Sequence, residues 1–165
     1  LRERGIPPMS EQEQLSAGVR RMKQFFDTST SVLDESDAGF SPVPGTFTTA
    51  QVIAHVAQTI DWFIDGAFDG KGYNMDFAGM EKELKKVESL AAARAWLDRA
   101  IDRAANTALK ATDEQLSTEV PGDPILTGMP RRAVFWALED HTAHHRGALT
   151  VYARLRGKTS PMPYG

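Results

Sequence analysis

Four stretches of this chain repeat apolar residues near helical period, and breaks rich in Gly and Pro separate them. No other feature restricts the fold as much, because an amphipathic helix must bury its apolar face against a neighbour. In the first stretch, after a Pro7-Pro8 break, Ser10 followed by Glu13 has the form of a capping box. Leu15, Val19, Met22, Phe26 and Val32-Leu33 then carry an apolar stripe to about residue 33. The segment from Asp37 to Phe47 holds Gly39, Pro42, Pro44 and Gly45 and reads as a loop.

Thr48 or Thr49 caps a second helix, with Val52, His55, Thr59, Trp62, Phe63 and Gly66 on one side, ending between Gly66 and Gly70. A third begins near Ser89, where Leu90, Ala93, Leu97, Ala100, Ile101 and Ala104 recur at helical spacing. The charged run from Met80 to Val87 reads either as a separate turn or as an extension of that helix. Glu119 to Gly128 is a loop with room for a short extended strand, and Pro130 suits the first turn of a last helix reaching about Gly157. Arg154, Arg156 and Lys158 then fall where cations suit the helix dipole, and Pro161 and Pro163 stop continuation. The expectation is an all-α four-helix bundle in one domain spanning residues 1–165. The connection from the second helix to the third is long enough to cross over, so up-down-down-up order stands beside simple up-down order.

Composition narrows the function classes. A net charge of -3 offers no clustered basic face for nucleic acid. No run approaches the ~20 apolar residues of a membrane span, and the start lacks the apolar region of a signal peptide. The absence of cysteine excludes disulfides, a cysteine nucleophile and thiolate metal ligands, and fits a cytoplasmic location. Any metal must be held by nitrogen and oxygen.

Nitrogen is well supplied. Three of the four histidines fall within His141-Thr142-Ala143-His144-His145, and His141 and His145 have the i, i+4 spacing that stacks two imidazoles on one helical face. At about 100° per residue, His145 lies near 40° from His141, among Val134, Leu138, Ala148 and Tyr152, so both point into the apolar stripe. His144 falls about 60° to the other side, at the stripe's edge. On the second helix His55 shares the inward side with Val52, Thr59 and Trp62, whereas Asp61 and Asp65 project roughly 80 to 120° away. A single histidine on an apolar face is ordinarily a packed core residue with one hydrogen bond. Three on two facing helices are better explained by shared coordination, since an unpaired buried imidazole costs a few kcal/mol.

The chain resembles the DinB-like (DinB/YfiT) superfamily of four-helix-bundle metalloproteins. The resemblance rests on His55 within Ala54-His55-Val56-Ala57-Gln58-Thr59-Ile60-Asp61-Trp62, on His141-Thr142-Ala143-His144-His145-Arg146-Gly147, and on the sequence from Ala148 to Gly157. One departure is Ala148, where many members carry Gln. The resemblance implies metal ligands at His55, His141 and His145, one divalent ion that is usually zinc or nickel, and frequent homodimers. His144 is not a ligand in that pattern and is expected at the site rim or in hydrogen bonding. Relatives include transferases and isomerases that use a low-molecular-weight thiol, and proteins described as metal-dependent hydrolases.

Three neutral nitrogens with an open position form the reactive type of metal site. Such a site either acidifies water to a pKa of ~7 or deprotonates a thiol. No catalytic side chain is assigned from the sequence. Thr59, Trp62 and Tyr152 are candidates for the rim or for contacts to the ligands, with Phe63 beside Trp62 as a wall, although aromatic residues at helical spacing commonly serve the core. Asp61 and Asp65 fit a solvated face, Arg146 an ion pair or interface, and Arg131 and Arg132 a weak anion-docking position. Three functions compete: a metal-dependent enzyme acting on a small molecule by thiol transfer or hydrolysis, a non-catalytic or stress-associated bundle with a structural ion, and a metal-free dimerising bundle.

Overall fold

The computed structural model of the protein describes residues 8–122 and 124–164; Pro7 of the expected break lies outside them. In chain order the helices are α1 (Glu11–Thr30), α2 (Thr49–Phe68), α3 (Phe77–Leu84), α4 (Leu90–Lys110), α5 (Asp113–Ser117) and α6 (Ala133–Leu155). The four long ones form the expected bundle. The run around Met80 is a helix of its own, and α5 is a short element that the periodicity did not reveal. Glu119 and Pro130 form an isolated antiparallel bridge, the extent of extended pairing there among the described residues.

Caps set the starts. The capping box of Ser10 and Glu13 is formed, Thr48 with Gln51 makes a second on α2, and Ser89 caps α4. Two ends differ from expectation. α1 stops at Thr30, short of residue 33, where the Arg94 guanidinium takes the Thr30 carbonyl (2.9 Å) and the Thr30 hydroxyl bonds back to Phe26 (2.8 Å). α6 begins at Ala133 rather than at Pro130, because the Arg131 and Arg132 amides donate to Thr118 and Leu116 (2.9 and 3.1 Å). Pro130 instead opens a tight turn, its carbonyl accepting from Ala133 (2.8 Å).

Helix directions follow from side-chain pairs. Arg20–Asp102, Lys23–Asp98 and Asp27–Arg94 make α1 and α4 antiparallel. Asp61 accepts from the Trp96 indole, and one turn further Asp65 pairs with Arg103, so α2 and α4 are parallel. Phe68 meets Phe135 at one end while Tyr152 reaches Phe47 beyond the other, so α6 is antiparallel to α2. The order is up-down-down-up. α1 and α2 each pack against α4 and α6, which places α1 and α2 across the diagonal. Phe26, Ile53, Ile60, Leu97, Leu138 and Leu149 fill the interior.

Parallel α2 and α4 require the chain to return the length of the bundle between them. It does so along the outer side of α2, where Trp62, Gln58 and Gln51 donate in turn to the carbonyls of Asn74 (2.7 Å), Met80 (2.9 Å) and Lys85 (3.4 Å). Gly66 lets the Tyr73 ring of this crossover lie directly on the α2 backbone, where a Cβ would collide with it. The last helix is anchored separately. Arg156 and Lys158 pair with the fully buried Asp37 (3.0 and 2.5 Å), so two cations read as dipole partners are chiefly ion-pair residues. Burial opposes ionisation of Asp37, but bonds from Lys158, the Asp34 amide and Arg156 outweigh it and hold the pKa below the ordinary carboxylate value.

Two helix glycines should respond oppositely to alanine. Gly66→Ala is expected to cost about 1–2 kcal/mol despite better helix propensity, since Tyr73 must shift. Gly147→Ala, with no atom near its Cβ position, should gain up to ~1 kcal/mol. Urea unfolding of both variants measures the difference.

Candidate metal centre

The antiparallel packing of α2 on α6 brings together side chains 86 residues apart in sequence. The Nε2 of His141 lies 3.3 Å from that of His55 and 3.2 Å from that of His145. One ligating nitrogen from each of the three falls within 4.8 Å of the others. The rings meet edge to face, with centroids 4.5 to 5.0 Å apart.

Hydrogen bonding cannot satisfy this arrangement. A ring nitrogen carries either one proton or one in-plane lone pair, so the His141 Nε2 can serve one of its two imidazole neighbours. All three groups are half-buried, and the surroundings keep them uncharged. Burial lowers the pKa of His55. It brings His141 to about 4, helped by the positive forms of His55 and His144 and opposed by Asp140. It brings His145 to about 3, helped by His141, His55 and His144. Neutral imidazoles present lone pairs.

A divalent ion fits this donor set. Metal–nitrogen bonds of ~2.0–2.1 Å at a tetrahedral angle place ligand nitrogens roughly 3.3 Å apart, close to both observed separations. The Nδ1 of His141 is buried without a hydrogen-bond partner. His144 does not join the group. It is exposed, with its ring edge-on to His145 at 4.8 Å.

A cleft of about 350 Å³ opens against His55 and His141. Thr59, Trp62 and Phe63 form its α2 side, and Phe77, Met80 and Leu84 of α3 form the opposite wall. Phe47 closes one end, with its ring 5.5 Å from that of His55. Tyr152 is not on the cleft. Its hydroxyl donates to the Phe47 carbonyl (3.0 Å), so it braces the segment that carries Phe47. Asp61 and Asp65 are engaged by Arg103, Arg132 by Glu11, and Arg146 lies over the Phe25 ring at 5.8 Å. Sequence reasoning missed Phe47, Phe77, Met80 and Leu84. The available signal was the apolar character of Phe77, Met80 and Leu84 within a charged segment, but the path of the crossover was needed to use it.

Fold and site together define a four-helix bundle with a three-histidine group bridging two helices. The chain belongs to the DinB superfamily, whose family model matches residues 17–149. Two solved structures share the fold. A DinB-like protein from Bacillus cereus is 24% identical with a TM-score of 0.64, over 89% of this chain and 93% of that one. A DinB-like protein from Bacillus subtilis is 17% identical with a TM-score of 0.61, over 88% and 94%. No protein of curated function matches the sequence.

The lowered histidine pKa values give a signed pH dependence. Unfolding restores these groups toward ~6.5, so the unfolded chain binds more protons below that pH. Metal-stripped protein should therefore lose thermal stability as pH falls from about 6.5 toward the native values near 4 and 3, with little contribution from these groups above 6.5. His145→Gln should flatten that part of a melting-temperature profile; an unchanged slope contradicts the assignment.

Proposed function

We propose that the protein is a metal-dependent enzyme that holds one divalent transition-metal ion on His55, His141 and His145 and acts on a small molecule. The observation that supports this most is the convergence of three neutral nitrogens beside a cleft that reaches two of them. Zinc or nickel suits three imidazoles. The ion, when bound, supplies a Lewis acid that polarises an oxygen or sulfur donor of the substrate. The reaction class is thiol-dependent group transfer or hydrolysis, with a low-molecular-weight thiol as co-substrate in the first case.

The chain's own residues have separable parts in this reading. His55 and His141 face the cleft, so a substrate atom approaches the nitrogens from that side. Trp62 and Phe63 give apolar walls next to them, and Thr59 contributes the hydroxyl of the α2 wall. Tyr152 keeps Phe47 in place. Exposed Trp136, Val151 and Leu155 on α6 provide apolar surface for a homodimer. No helix among the described residues is long and apolar enough to cross a membrane. The cysteine-free composition supports a cytoplasmic location.

A structural ion is the second reading, favoured by ligands that tie α2 to α6. Elemental analysis of protein without a histidine tag should find about one divalent ion per chain. His141→Ala should lose it while circular dichroism retains the helical signal; full metal retention removes this ligand set. Cobalt-substituted protein then separates the readings. A thiol or substrate analogue that alters the visible spectrum supports a reactive site, and a spectrum indifferent to all of them, with a melting temperature that falls sharply on chelation, supports a structural ion.

A further inference from the structure

The walls of the histidine cleft carry information about what enters it. Trp62, Phe63, Phe77, Met80 and Leu84 give it apolar sides, and no Lys or Arg among the described residues lines it. The one charged residue among the described lining residues, Glu81, pairs with Lys85 at 2.5 Å on the exposed side of α3. Gln58, the amide in the wall, spends its Nε2 on the Met80 carbonyl. Apart from the ion proposed on the histidines, nothing among the described lining residues compensates a negative charge on the body of a ligand, whose desolvation would go unrepaid.

The apolar surface is also held open to water. Phe77 is 53% exposed, although it flanks a concavity. The Trp62 indole cannot swing in to fill the space, because its Nε1 donates to the Asn74 carbonyl (2.7 Å) and its ring packs on Tyr73 with centroids 4.6 Å apart. A prebuilt apolar concavity gains affinity from displaced water without the cost of ordering its walls. Its volume of about 350 Å³ sits at the low end of the ~300–1,000 Å³ range of small-molecule sites.

We propose that this cleft takes the uncharged, apolar body of a substrate with one or two rings, with its reacting donor atom directed to His55 and His141. The inference rests on the reading of the three histidines as the reacting end, and it adds the class of molecule that reaches them. The same walls discriminate against thiols that carry carboxylates, so a thiol co-substrate of this protein is uncharged apart from its sulfur.

Three compounds that share one thiol group and differ in body test this: phenylmethanethiol, 2-mercaptoethanol and mercaptosuccinate. Their binding is measured by calorimetry on cobalt-loaded and on metal-stripped protein, with the metal content of each sample determined. Phenylmethanethiol should bind about ten- to a hundredfold more tightly than 2-mercaptoethanol, from burial of the ring, with mercaptosuccinate the weakest. Phe77→Ala and Met80→Gln, on the outer wall and away from the ligands, should each reduce that preference severalfold while leaving metal content intact. Equal binding of the phenyl and hydroxyethyl thiols, or tightest binding of mercaptosuccinate, overturns the inference even if the ion is present. If the chain holds no cobalt, the metal reading fails, and the ranking on metal-stripped protein still decides the inference about the cleft.

Discussion

Burial of α2 on three sides is the constraint from which the rest of the architecture follows. Its residues Val52, Ile53, Ala54, Val56, Ala57, Ile60, Ile64 and Ala67 are all buried, more than a helix on the outside of a bundle would need. α4 covers one side, α6 another, and the crossover with α3 a third. Because α4 runs parallel to α2, the chain between them must travel back along the bundle, and the surface it travels over is that of α2. The cleft wall is therefore a consequence of helix order. A simple up-down connection would have ended in a short turn at the far end and left His55 facing solvent on that side.

The histidine group sets polar chemistry against apolar packing. Each imidazole is neutral because burial penalises its charge, and neutrality gives each a lone pair. The group is costly without a shared partner, since His141 sits between two nitrogens and can bond well to one. It persists because both helices are fixed by contacts elsewhere. Phe68 packs on Phe135 at one end, and Tyr152, Asp37, Arg156 and Lys158 lock the other. The histidine group thus depends on an anchored α6, and the ion pair around Asp37 bears on its geometry from a distance.

Parts of this were legible in the chain because they depend on local spacing. Capping at Ser10, a helix start near Ser89 and the apolar stripes of the four long helices follow from periodicity and backbone satisfaction. So does the inward placement of His141 and His145, which a helix fixes by its 3.6-residue turn. The boundaries that differed, at Thr30 and Ala133, were set by partners remote in sequence: Arg94 in one case, Leu116 and Thr118 in the other. Asp61 and Asp65 read as a solvated face, and the structure gives them Arg103 and Trp96, which no periodicity predicts.

By itself, then, the sequence determined the four long helices, which of their faces are apolar, and that three imidazoles lie on the inward faces of two of them. Tertiary structure decided that these faces meet at the same height, with the Nε2 atoms of His55 and His141 3.3 Å apart. It also decided between the two helix orders, and so where the crossover runs and that Phe77, Met80 and Leu84 stand opposite Trp62. The division has a physical origin. Helical spacing is fixed by hydrogen bonds four residues apart, whereas the register between helices comes from packing summed over side chains that are far apart along the chain.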